Sequence, residues 1–97
     1  MKPISQYTDI AIRNDTKSFL YWLIRAEEYI KNGEAQFAHT ALTNALRNCV
    51  FLIKEQIRIE DCEQPNWKQI FNACLDSAKE EVKTDREAET NKEIYGD

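Results

Sequence analysis

Residues 34–58, EAQFAHTALTNALRNCVFLIKEQIR, decide the fold. Ala38, Leu42, Ala45, Cys49, Leu52 and Ile53 recur at helical spacing and fall on one face, with Ile57 at its edge. A strand would alternate with a period of two instead. Small residues at Ala35, Ala38, Ala41 and Ala45 flank and line the stripe, so a neighbouring helix can approach closely. Asn32-Gly33 stands just before the segment, and glycine takes the left-handed conformation that ends a helix without a Cβ clash. The neighbour is therefore expected to be the preceding helix, folded back antiparallel across a tight turn.

Upstream, Asn14-Asp15-Thr16 is a cluster of N-cap formers, after which Phe19, Trp22, Leu23, Ala26 and Ile30 repeat at three and four residues. This predicts a helix over 15–32. In residues 1–14, Ile4, Tyr7 and Ala11 fit a helical stripe while Ile10 and Ile12 alternate; a short fourth helix over 4–12 is the expectation. Downstream, Asp61, Cys62 and Pro65 mark a loop. Asn66 with Gln69 then forms a capping-box pattern, and Trp67, Ile70, Phe71, Cys74, Leu75, Ala78 and Val82 follow at helical spacing. A third long helix is predicted over 66–84, and residues 85–97 read as a charged tail. The expected fold is all-α: one domain, a small up-and-down bundle of three long helices with the short N-terminal one.

Composition narrows the function. The 97 residues are 42% hydrophobic and 31% charged, an ordinary globular balance. The longest apolar run, Phe19 to Ile24, is far short of the roughly 20 residues needed to span a bilayer, and no secretory leader is legible. A cytoplasmic protein without membrane contact is expected. Cys49, Cys62 and Cys74 form no C-x-x-C pair, which argues against zinc, and their odd number argues against a disulfide framework, so reduced thiols are expected. The formal charge of −4 gives no general attraction to nucleic acid.

Catalytic constellations are missing from the sequence. His39 is the single histidine, which closes sites that need two imidazoles, and Glu27, Glu28 and Glu34 lack the Glu-x-x-His motifs of a di-iron bundle. Gly33 and Gly96 cannot build a phosphate-cradling loop. Neither an enzyme nor a resident cofactor or metal is expected. His39, Thr43, Arg47, Lys54 and Arg58 fall within about 100° on the second long helix, a line able to touch phosphate. Arg47, Lys54 and Arg58 are thus the candidates for the alternative reading, a nucleic-acid-associated module.

The segments Tyr21-Trp22-Leu23-Ile24-Arg25-Ala26-Glu27-Glu28 and Ala41-Leu42-Thr43-Asn44-Ala45-Leu46-Arg47-Asn48 resemble those of a HEPN-type helical domain over roughly residues 19–56. The active members of that family carry an arginine followed a few residues later by a histidine. Here Arg47 is followed by Asn48-Cys49-Val50-Phe51-Leu52, and His39 precedes it. The resemblance therefore implies a catalytically inactive relative.

The more informative feature is surplus apolar surface. Leu20, Tyr21 and Ile24 point away from the stripe set by Phe19, Trp22 and Ile30, and Phe37 and Phe51 point away from the Ala38/Ala45/Cys49 stripe. Leaving such side chains in water forgoes about 1.5 to 3 kcal/mol each. These five are the expected partner-binding residues, covered by another protein or a second copy of the chain, unless the N-terminal segment or the third helix packs over them. An inhibitor, an accessory subunit or an immunity-type partner of a larger enzyme would fit this size and surface.

Overall fold

The computed structural model describes the backbone of residues 1–95 and the side chains of residues 1–91. Three helices follow one another: α1 (Gln6–Lys31), α2 (Ala35–Arg58) and α3 (Trp67–Tyr95). The all-α expectation agrees with this, and among the described residues the only β-type pairing is an isolated bridge between Lys2 and Cys62.

The fourth N-terminal helix is not present, because α1 runs unbroken from Gln6 through the cluster at Asn14-Asp15-Thr16. Ser5 is the N-cap instead: its hydroxyl oxygen accepts from the Thr8 backbone N–H at 3.1 Å, and Asp9 sits in the positive first turn. The physical reason lies in two threonines. Thr8, Ile12, Thr16 and Leu20 form one buried ridge at four-residue spacing. The Thr16 hydroxyl donates to the Ile12 carbonyl at 2.7 Å, so its polar atom is satisfied inside its own helix and its methyl group packs inward. A cap-forming residue type becomes a core residue.

The α1–α2 turn is a Schellman motif. The Glu34 N–H reaches the Tyr29 carbonyl at 2.8 Å and the Gly33 N–H reaches Ile30 at 3.1 Å, with Gly33 at φ +74°. No atom would meet an added Cβ, so only backbone strain opposes a side chain here. Gly33→Ala is expected to lose about 1 kcal/mol, read as a lower urea midpoint with an unchanged slope.

On α2, Ala38, Ala41 and Ala45 are buried, as their spacing suggested. The Asn66 side chain caps α3, accepting from the Gln69 N–H at 3.1 Å, and Ile70, Cys74, Ala78 and Val82 form its buried ridge. The sequence expectation ended this helix at residue 84. It continues to Tyr95, so most of the expected charged tail is helical; Gly96 and Asp97 lie outside the described residues.

The core gathers where α1, α3 and the 59–66 loop meet. Ile12, Leu20, Ile59, Ile70, Cys74 and Ala78 are buried there, and Ile4, Phe19, Ile24 and Trp67 pack against them. The loop is tied down by the Glu63 N–H donating to the Lys2 carbonyl at 2.7 Å and by the Gln64 amide donating to the Ile59 carbonyl at 2.9 Å.

Helix α1 is the central element. It packs antiparallel to α2 and, in the opposite chain sense, parallel to α3, while among the described residues α2 and α3 make no close backbone approach to each other. The molecule is elongated, 55 × 22 × 22 Å, with a radius of gyration of 16.0 Å. A compact chain of this length would have about 12.5 Å. Two helices hung on one central helix leave part of each exposed.

Candidate functional site: an open apolar groove

Where α2 and α3 stand apart, they leave a groove of about 600 Å³ floored by Thr16 and Phe19 of α1. Cys49, Leu52, Ile53 and Gln56 form the α2 wall, and Trp67, Lys68, Ile70 and Phe71 the α3 wall. Helical periodicity carries the apolar surface beyond it. Leu46 lies seven residues before Ile53 and Leu42 seven before Cys49, so both continue the α2 wall along the helix; Leu23 and Ile30 continue from Thr16 in the same way. These residues are open to solvent: Leu46 is 65% exposed, Ile53 55% and Ile57 62%. Large side chains exposed this way, side by side on neighbouring helices, form a patch and not scattered single residues.

The five residues that the sequence nominated fall in different places. Leu20 is buried, and Tyr21 and Ile24 pack half-buried against the core cluster that α3 completes. They belong to the interior, because α3 covers the side of α1 on which they lie. Phe37 is exposed, its ring tilted against Tyr29 at 5.5 Å, and Phe51 is exposed. The apolar surface lies mainly on Leu42, Leu46, Val50, Ile53 and Ile57 instead. Sequence reasoning counted Leu42 and Ile53 as core, because a single stripe shows which face is apolar but not how wide an arc the neighbours cover. The 4-3-4 spacing of Leu46, Val50, Ile53 and Ile57 was the signal that could have revealed a second seam.

On the other side of α1, the distal half of α3 is held by polar contacts four residues apart. Lys17 pairs with Glu81 at 2.9 Å, the Tyr21 hydroxyl donates to Asp85 at 2.5 Å, and Arg25 pairs with Glu89 at 2.6 Å. Arg86 reaches back to Glu28. Burial, then the hydrogen bond and negative charge of Asp85, push the Tyr21 phenol well above its ordinary range, so it stays a donor. Arg25 is buried, lies over the Tyr29 ring and donates to the Tyr29 hydroxyl at 2.6 Å; its Nε has no partner among the described residues. This ladder holds two helices together. Glu81 and Glu89 border open surface cavities, each held in an ion pair with α1.

The remaining candidates take simple positions. Arg47, Lys54 and Arg58 are exposed on α2, Arg58 paired with Glu55 at 3.3 Å. His39 is exposed on the same helix, two turns before Arg47, so the two do not form a catalytic pair. Cys49, Cys62 and Cys74 are unpaired; burial raises the Cys74 thiol, which keeps it protonated. Among the described residues no group of three His, Cys, Asp or Glu side chains is placed to hold a metal ion, and no helix is long and apolar enough to cross a membrane.

One carboxylate is placed against its own charge. Asp15 is half-buried, and burial, with the Glu55 carboxylate adding, raises its pKa from the ordinary 3.8. The folded chain then binds this proton more tightly than the unfolded chain, so the site's contribution to stability falls as pH rises through the window above 3.8. Asp15→Asn is expected to melt higher than the parent at pH 7, with the difference shrinking towards pH 4. Melting curves across that range check it.

Comparison of the chain with protein-family models, with curated proteins and with solved structures finds no match.

Proposed function

We propose that this chain is a non-enzymatic helical protein that works by holding another protein on the open groove. The observation that carries the reading is the run of solvent-exposed Leu42, Leu46, Ile53 and Ile57 along α2, continuous with the groove walled by Trp67 and Phe71. Burying four such side chains is worth about 1.5 to 3 kcal/mol each before the costs of association, so covering this surface is a large driving force. An inhibitor, accessory subunit or immunity-type protein would use it by seating an element of its target there. A reducing, cytoplasmic setting goes with the reading, since the three cysteines are unpaired.

Paired baits test it. The parent chain and a Leu46→Glu/Ile53→Glu variant with the same melting temperature are each used to capture partners from the native host. The expected result is one protein recovered in stoichiometric amount by the parent and absent with the variant. Recovery of the same proteins by both baits would overturn the groove as the site. Recovery that disappears on nuclease treatment and on replacing Arg47, Lys54 and Arg58 with glutamine would favour the nucleic-acid reading instead.

A further inference from the structure

Going around α2 from its buried alanines, the exposed seam of Ile53, Leu46 and Ile57 comes first, and Lys54 and Arg47 come next, about 100° beyond the seam residue each follows. They border the seam on its outer edge. Across the groove, Lys68 stands in the α3 wall. None of these three cations lies within ion-pairing distance of a carboxylate among the described residues, unlike Arg13, Lys17, Lys31, Arg58 and Arg86. Among the described residues, no acidic side chain lines the groove. In a chain with net charge −4, the apolar surface is thus edged by unpaired positive charge.

From this edge, and resting on the protein-binding reading above, we infer that the occupant of the groove is an amphipathic α-helix whose polar flanks carry carboxylates. The seam from Leu42 to Ile57 spans about 22 Å, which matches a helix of about four turns. Laid against α2 and α3, such a helix meets apolar side chains along its centre, Arg47 and Lys54 on one flank and Lys68 on the other. A second copy of the chain fits less well. An antiparallel α2–α2 pairing that sets Leu46 of each copy opposite Ile53 of the other brings Arg47 of one copy within about one helical turn of Lys54 of the other, on the same side of the seam. This arrangement juxtaposes like charges, which disfavours that partner.

The test uses three stapled helical peptides of about 18 residues with one shared leucine face. Their flanks are glutamate, glutamine or lysine, and binding to the intact chain is read by fluorescence anisotropy at 50 mM and 500 mM NaCl. The glutamate peptide is expected to bind roughly tenfold more tightly than the lysine peptide at low salt, an advantage largely lost at high salt. An Arg47→Gln/Lys54→Gln/Lys68→Gln variant should erase that preference while still binding the glutamine peptide; Leu46→Glu/Ile53→Glu should lose all three. Equal affinity for the three peptides would overturn the acidic flank and leave the protein-binding reading standing. If no peptide binds and light scattering finds a dimer that Leu46→Glu/Ile53→Glu dissolves, the occupant is a second copy and the inference falls, but the groove remains a protein-binding site. Displacement of the glutamate peptide by single-stranded RNA, with Arg47, Lys54 and Arg58 setting the salt dependence, would overturn both.

Discussion

Ile12→Ala is expected to remove about 2 to 5 kcal/mol of stability, whereas Leu46→Glu should leave the melting temperature nearly unchanged. Ile12 has no solvent exposure and touches the core contributed by α1, α3 and the 59–66 loop, so its truncation opens a cavity that neighbours on rigid helices cannot fill. A chain of this length has on the order of 5 to 15 kcal/mol in total, so this single change uses a large share of it. The expected fall in melting temperature is roughly 10 °C or more. Leu46 is 65% exposed, and a glutamate there stays hydrated. Differential scanning calorimetry of the two variants decides whether the seam is surface or core. A collapse of Leu46→Glu comparable to that of Ile12→Ala would mean that the apolar surface is closed in solution, and the groove would not exist as a site.

The second large effect is expected at Arg25. Arg25→Glu places a carboxylate against Glu89 in a position with only 5% side-chain exposure, and should cost about 3 kcal/mol or more. Arg25→Met should be nearly neutral, because it removes the buried charge and the unpartnered Nε together and keeps much of the volume. Glu89 is 56% exposed, so water can solvate it once its partner is gone. The order Arg25→Glu far below Arg25→Met, measured by urea denaturation, identifies the ladder as a charge-pairing device. Equal losses would mean that Arg25 acts through packing alone. In both variants, hydrogen exchange should report any detachment of α3 beyond Val82, where the ladder replaces the apolar ridge.

Much of the fold was legible because it depends on local rules. The alanine-rich period of 34–58, the glycine at 33 and the Asn66 cap each act within one turn of helix, and each is found where the spacing put it. Two boundaries were not legible. Asn14-Asp15-Thr16 has the chemistry of a cap, but Thr16 turns its hydroxyl onto its own helix and fills the core beside Ile12. The sequence after Val82 has no apolar stripe, and its helix is held through Glu81, Asp85 and Glu89 to Lys17, Tyr21 and Arg25, partners 64 residues away.

The candidate site shows the same division more sharply. Periodicity and residue size are enough to establish that apolar side chains exceed what one stripe per helix can bury. Which of them remain in water was decided by tertiary structure alone: α3 lies along α1 and covers Leu20, Tyr21 and Ile24, and by standing clear of α2 it leaves Leu42, Leu46, Ile53 and Ile57 open. The physical reason is that a helix's periodic pattern specifies the direction of each side chain, while exposure depends on where the neighbouring helices come to rest.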